Sequence, residues 1–190
     1  MKLYVFKRTL ILMALLMTSQ VFASTIIQLS DEEIISRAAY VLKGQVSGIY
    51  TTVEKGNIPF QYITIEVGQI YKNDSDRPLY ESDRIVIRQM GGTANNMTLD
   101  VDSLPKFVEG SQVLVNLKVD NNGYYYVVGN SQGLYKVVNE KLIKDTQDAN
   151  TMFVRHGATG EIHFEPGQIK EINMEQMKAK IEKVTNSEEY

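Results

Sequence analysis

The sequence predicts a mainly β domain, an OB-like Greek-key antiparallel barrel of about six or seven strands with a helix near each end. Three observations predict it. Apolar and polar residues alternate between about Tyr40 and Lys144, the period of strands with one buried face. Turn-forming clusters interrupt that stretch at short intervals. Gly44 and Gly48 fall inside the long first strand. Glycines there mark bulges or sharp bends, which let one strand serve both sides of a barrel and favour a barrel over a sandwich.

Before the barrel stands a leader. Lys2, Lys7 and Arg8 precede an apolar run, Thr9 to Met17, and Val21 and Ala23 occupy the −3 and −1 positions of a cleavage site. The run has the length of a signal-peptide core and is short for a membrane span. Residues 1–23 are therefore expected to be a signal peptide, and residues 24–190 a single barrel domain with a C-terminal hairpin and helix at about 146–190. The expected location is exported, in a bacterial periplasm or the surrounding medium, with no membrane insertion after cleavage. The chain holds no cysteine. A lipid anchor at the cleavage point is excluded, and stability must come from a packed core rather than from disulfides.

Without the leader, 17 basic residues face 23 acidic ones, a net charge of about −6. That balance argues against nucleic acid, which requires a basic stripe, and against anionic membrane surfaces.

Each element has its own local signature. Ser30 with Glu33 forms a capping box, with Asp31 and Glu32 placed well for the helix dipole. It predicts a short helix over Asp31 to Ala39, with Ile34, Ile35 and Ala38 on one face. Tyr40 to Glu54 reads as the glycine-bent strand and Glu54 to Pro59 as a turn. Gln61 to Lys72 and Asp83 to Met90 read as the next two strands. In Ser111 to Val119 the alternation places Val113, Val115, Leu117 and Val119 inward and Gln112, Asn116 and Lys118 toward water, with Leu114 the exception. Asp120 to Gly123 is a hairpin turn, Tyr124 to Gly129 the returning strand, and Leu134 to Val138 with Lys141 to Lys144 a last hairpin. Asp145 to Asn150 is a polar connection, and Met152 to Phe164 a further hairpin. From Gln168 the spacing of Ile169, Ile172, Met177, Ile181 and Val184 predicts a helix.

The candidate chemistry is sparse. Gly91 and Gly92 come after a strand, as a phosphate-cradling loop does. The segment from Thr93 to Pro105 carries no helical period, and no GxGxxG or GKS/GKT pattern is present. The reading is a corner at the barrel rim, with Gly91 and Gly92 as candidates for ligand or partner contact. Tyr124, Tyr125 and Tyr126 are consecutive, so a strand must turn at least one of them outward. Tyr124 and Tyr126 are the candidates for a partner-binding face. His156 and His163, with Glu161 between them, are the candidate metal set for an alternative reading as a metal-dependent or hydrolytic enzyme. No nucleophile motif and no paired-carboxylate motif stands out, so no catalytic residue is assigned and no cofactor is called for.

Several pieces together resemble a known pattern. They are the "LS-x-EE" helix start at Leu29 to Glu33, the strand motif at Leu42 to Val46, "Q-x-GG" at Gln89 to Gly92, "P-x-F-x-x-G" at Pro105 to Gly110, and "G-x-x-QG" at Gly129 to Gly133. They resemble a family of exported, largely uncharacterised bacterial proteins over roughly residues 29–144. The strand motif departs from the family's V-x-G-x-V, reading Leu42-Lys43-Gly44-Gln45-Val46. The arrangement is similar in turn to the OB-like barrel of netrin-type modules and tissue inhibitors of metalloproteinases. Such inhibitors chelate the target's zinc through an N-terminal cysteine, and this chain has none, so that mechanism does not carry over. The resemblance and the absence of a catalytic set together lead to the expectation of an exported, non-enzymatic binding module. It would act on a protein partner, with a protease or a cell-envelope protein as possibilities.

Overall fold

The computed structural model describes residues 24–146, 151–156 and 161–188. The expected leader, residues 1–23, lies outside them, as do residues 147–150 of the polar connection and residues 157–160 with Gly157 and Gly160. Among the described residues no helix is long and apolar enough to cross a membrane.

The protein is mainly β. Strand β1 is Ser24–Ile27, β2 Tyr40–Glu54, β3 Ile58–Asn73, β4 Arg84–Met90, β5 Gly92–Ala94, β6 Met97–Leu99, β7 Gln112–Val119, β8 Tyr125–Val127, β9 Leu134–Val138, β10 Lys141–Asp145, β11 Thr151–His156, β12 Ile162–Pro166 and β13 Ile169–Asn173; helix α1 is Asp31–Arg37 and α2 Met174–Glu188. Six or seven strands was therefore an undercount. The extra ones are short pieces that a period-two pattern cannot register, such as the three-residue β5 and β6 around Asn95-Asn96, both at positive φ.

Eight strands form one sheet in the order β13-β10-β9-β7-β2-β3-β4-β8, and β8 also pairs with β7. The pairings β2-β3-β4-β8-β7 thus return to β2 in a ring. All are antiparallel except β4–β8. The register of β2 against β3 slips at Lys43/Gly44 and again at Val46/Gly48, the bulges that the two glycines foretold. A Cβ on Gly44 would lie 2.6 Å from both the Glu66 carbonyl oxygen and Ile65 Cγ2, so only glycine fits where the bent strands close up. β1, β11 and β12 make a separate three-stranded sheet, and β5 and β6 a small hairpin.

Two cores hold the molecule. Inside the ring lie Tyr40, Leu42, Val46, Ile63, Ile65, Ile87, Val113, Val115 and Leu117. On the outside of the sheet Val41, Leu114, Tyr135 and Leu142 meet Ile34, Ile35 and Ala38 from the α1 segment and Met177, Ile181 and Val184 of α2. Strand β7 is therefore buried on both faces. Leu114 is fully buried under the helices, which explains its break in the alternation. Asn116, expected to face water, is also buried, and its side-chain amide donates to the Gly133 carbonyl at 3.1 Å.

The capping box of α1 forms as the sequence indicates: the Glu33 amide donates to Ser30 Oγ at 3.1 Å and the Ser30 amide to Glu33 Oε2 at 2.8 Å. Its other end is closed by tertiary structure. The buried Lys72 ammonium donates to the Ile35 carbonyl at 3.2 Å, which also accepts the Ala38 amide at 3.2 Å, and to the Ser36 carbonyl at 3.5 Å. The C-terminal helix starts later than its apolar stripe suggests. Ile169 to Asn173 is strand β13, paired antiparallel with β10. Ile172 packs against the second core from that strand. The helix begins where Asn173 Oδ1 accepts the Glu175 amide at 2.8 Å. Asn173 with Gln176 three residues on is a helix-start signature that the apolar stripe overshadowed.

Candidate functional site

The tight turn Lys55-Gly56-Asn57 joins β2 to β3 and fixes their register. Glu54 stands opposite Ile58, Thr52 opposite Phe60, and Tyr50 opposite Tyr62. Strand β4 continues the rows, with Arg88 opposite Tyr62 and Met90 opposite Phe60. Ile63 and Ile87 point into the ring, so by strand alternation Tyr62 and Arg88 stand on its outer face. The pairing thus gathers an aromatic face from residues far apart in sequence.

The rings are ordered against each other. Tyr50 stacks on Tyr62 with centroids 4.9 Å apart and an interplanar angle of 5°. Tyr124 meets Tyr62 edge-on at 5.6 Å. The Arg88 guanidinium carbon lies 3.8 Å above the Phe60 ring and 5.8 Å from that of Tyr124. Arg88 is itself held by Glu54 in a two-pronged ion pair, Nε to Oε1 at 2.7 Å and Nη2 to Oε2 at 2.6 Å. The Tyr62 hydroxyl donates to the same carboxylate at 2.5 Å. Arg88, followed by Tyr62, keeps the Glu54 carboxyl below the usual carboxylate range, and in return Glu54 pushes the Tyr62 hydroxyl and the Arg88 guanidinium up. The polar groups are satisfied by one another, while Tyr50 at 56 %, Met90 at 46 % and Ile58 at 38 % stay exposed. Such a face can bury apolar surface against a partner with little rearrangement of its own.

Of the residues singled out from sequence, Tyr124 belongs to this face. Tyr126 does not touch these rings. It is exposed on β8 opposite Lys118. Gly91 and Gly92 stand at the corner after β4, with φ of +121° and +93°. The Gly91 amide donates to the Pro59 carbonyl at 2.9 Å, and strand β5, not a helix, begins at Gly92. Together with Gln61, Gln89 and Leu99 they line a cavity of about 280 Å³ beside the aromatic face.

The histidines lie on the β11–β12 hairpin, remote in register from this face. His163 pairs with Arg155 and His156 with Ile162. These positions are one residue apart along the ladder, so the two histidine positions fall on opposite faces of the sheet, and pairing does not converge them. The His163 ring lies 3.6 Å from Glu161 on the same side of the hairpin. Among the described residues no group of three His, Cys, Asp or Glu side chains is placed to hold a metal ion.

Sequence reasoning missed Tyr50, Phe60, Tyr62, Arg88 and Glu54. The signal was present. Tyr50 with Tyr62, and Glu54 with Ile58, are symmetric about Gly56, so assuming a regular hairpin on that turn would have paired them. Arg88 could be found only by also knowing how β4 registers on β3. Comparison with protein-family models and with curated proteins gave no match to this chain.

Proposed function

We infer that the protein is an exported, non-enzymatic binding module built on an OB-like barrel, and that it engages a protein partner through the aromatic face of β2, β3 and β4. The barrel reading is supported by the ring of pairings, with its glycine-bent first strand and its single parallel contact, β4 with β8. Barrels of this type use the face of their second and third strands for ligands, and here those strands are β3 and β4. The observation that carries the binding role is the stacked Tyr50–Tyr62 pair beside the locked Arg88, with Met90 and Ile58 exposed next to it. Tyrosine and arginine in rigid, partly apolar settings are the residues that dominate protein interfaces. An acidic chain whose arginine on this face is already neutralised by Glu54 suits a protein ligand better than a polyanion. The leader at residues 1–23 supports an envelope or external setting, where a protease or an envelope protein would be met.

The test is affinity capture from cell-envelope extract and culture fluid, with wild-type protein beside the Tyr50→Ala/Met90→Ala variant. A defined partner held by the wild type and weakened about tenfold or more by the double substitution supports the reading. Retention that is equal in both removes this face as the contact surface.

A further inference from the structure

A second cavity of about 480 Å³ lies between the three-stranded sheet, α1, β10 and the start of β13. It shares no lining residue with the aromatic face. Its volume is within the range that holds small ligands. Lys144, Lys170 and Lys180 converge on it, in a protein whose net charge is negative.

The charges there do not balance. Lys144 Nζ lies 2.6 Å from Asp31 Oδ1, and Lys180 Nζ lies 2.9 Å from Asp31 Oδ2 and 3.3 Å from Glu32. Lys170 has no ion-pair partner among the described residues. The other charged groups in the lining are already paired: Arg155 with Glu165 at 2.7 Å, and Glu33 with its own capping box and Arg37. Three ammonium groups thus face two carboxylates. Burial first, with Lys170 and Lys180 adding to it, pushes the Lys144 ammonium down despite its contact with Asp31.

We propose that this cavity binds a monocarboxylate, its single negative charge meeting the Lys170 side of the pocket. One negative charge completes the balance of three lysines against Asp31 and Glu32. A phosphate dianion would exceed it, beside two carboxylates already present. The same chemistry is offered by a peptide C-terminus and by a free N-acylated amino acid.

Isothermal titration of the purified protein decides it. The probes are N-acetyl-alanyl-alanine, its C-terminal amide, N-acetyl-alanine, and inorganic phosphate alone. The expected result is binding of the free acids, weaker by about tenfold for the amide, the loss of one charge-assisted interaction. Lys170→Glu and Lys170→Met, both at an exposed position, should each lose about tenfold in affinity for the acids while melting as the wild type does. Tighter binding of the dipeptide than of N-acetyl-alanine would assign the carboxylate to a chain terminus, and equal binding to a small acid. The proposal is overturned by no heat from any probe at millimolar concentration, by equal affinity for acid and amide, or by unchanged affinity in both Lys170 variants. Phosphate binding as tightly as the acids would overturn it too, as an adventitious ion only.

Discussion

Lys144 places its ammonium nitrogen 2.6 Å from Asp31, across 113 residues of sequence. That one contact ties the first turn of α1 to β10. The Tyr135 hydroxyl donates to the same Asp31 oxygen at 2.7 Å and Lys180 of α2 to the other at 2.9 Å, so a single carboxylate joins two helices to two neighbouring strands.

Removing Asp31 should therefore cost more than a surface substitution does. Asp31→Asn leaves the nearly buried Lys144 without its counter-charge, and the expected loss is about 3 kcal/mol in urea unfolding. The double variant Asp31→Leu/Lys144→Met should recover much of that, because no unpaired charge remains buried. A single variant as stable as wild type would show that the cluster does not hold the helices.

Acid should act through the same group. Burial alone would push the Asp31 carboxyl up, but Lys144, Lys180 and Tyr135 together hold it far below the usual carboxylate range. A carboxyl with a depressed folded-state pKa contributes stability that is present above its unfolded value of about 3.9 and is lost as pH falls toward the folded one. Wild-type stability should fall as pH is lowered from about 5, and more steeply than that of Asp31→Asn. Parallel curves in chemical denaturation at stepped pH would contradict this.

Glu54 should govern the ionisation of Tyr62. The hydroxyl donates to Glu54, and that bond comes first among the causes that push it up. In Glu54→Gln, Tyr62 should ionise at lower pH than in the wild type, read from the Tyr62 ring-carbon shift in an NMR titration. An unchanged titration would mean that the bond does not persist in solution.

Gly92 and Gly48 should respond in opposite ways to a methyl group. At Gly92 φ is +93° and a Cβ would lie 2.7 Å from Thr51 Oγ1, whereas at Gly48 nothing lies within 4 Å. Gly92→Ala should cost about 2 kcal/mol, and Gly48→Ala should stay within about 0.5 kcal/mol of wild type. Thermal and urea unfolding of the two variants measures both.

Leu114 should prove as intolerant as Val115. Leu114 is buried in the outer core beneath the helices and Val115 in the core of the ring. Leu114→Ala should cost about 3 kcal/mol. A loss below about 1 kcal/mol would mean that the helices do not seal that face.

Much of the fold was legible because it is written in local patterns. Ser30 and Glu33 specify the start of α1 by themselves. Gly44 and Gly48 announced the bulges, and at Gly44 the reason is that a backbone crowding its neighbour admits no side chain. The glycine pair at Gly91-Gly92 read correctly as a corner because nothing helical comes after it. The alternation along β7 yielded the inner core, Val113, Val115 and Leu117. It misjudged Asn116 because a period of two reports which side a residue faces and not what covers that side.

What tertiary structure alone decided has one cause, register between distant segments. Ile169 and Ile172 fit a helical stripe as well as a strand, and only the neighbouring β10 edge settles the choice. The aromatic face needs β4 to meet β3 with Arg88 opposite Tyr62, and the cavity of Lys144, Lys170 and Lys180 needs segments from both ends of the chain. The sequence by itself determined the mainly β character, the turns, the caps and the inner core, because those depend on residues within a few positions of each other. Which polar and aromatic side chains share a surface depends on long-range pairings, and no local pattern encodes them.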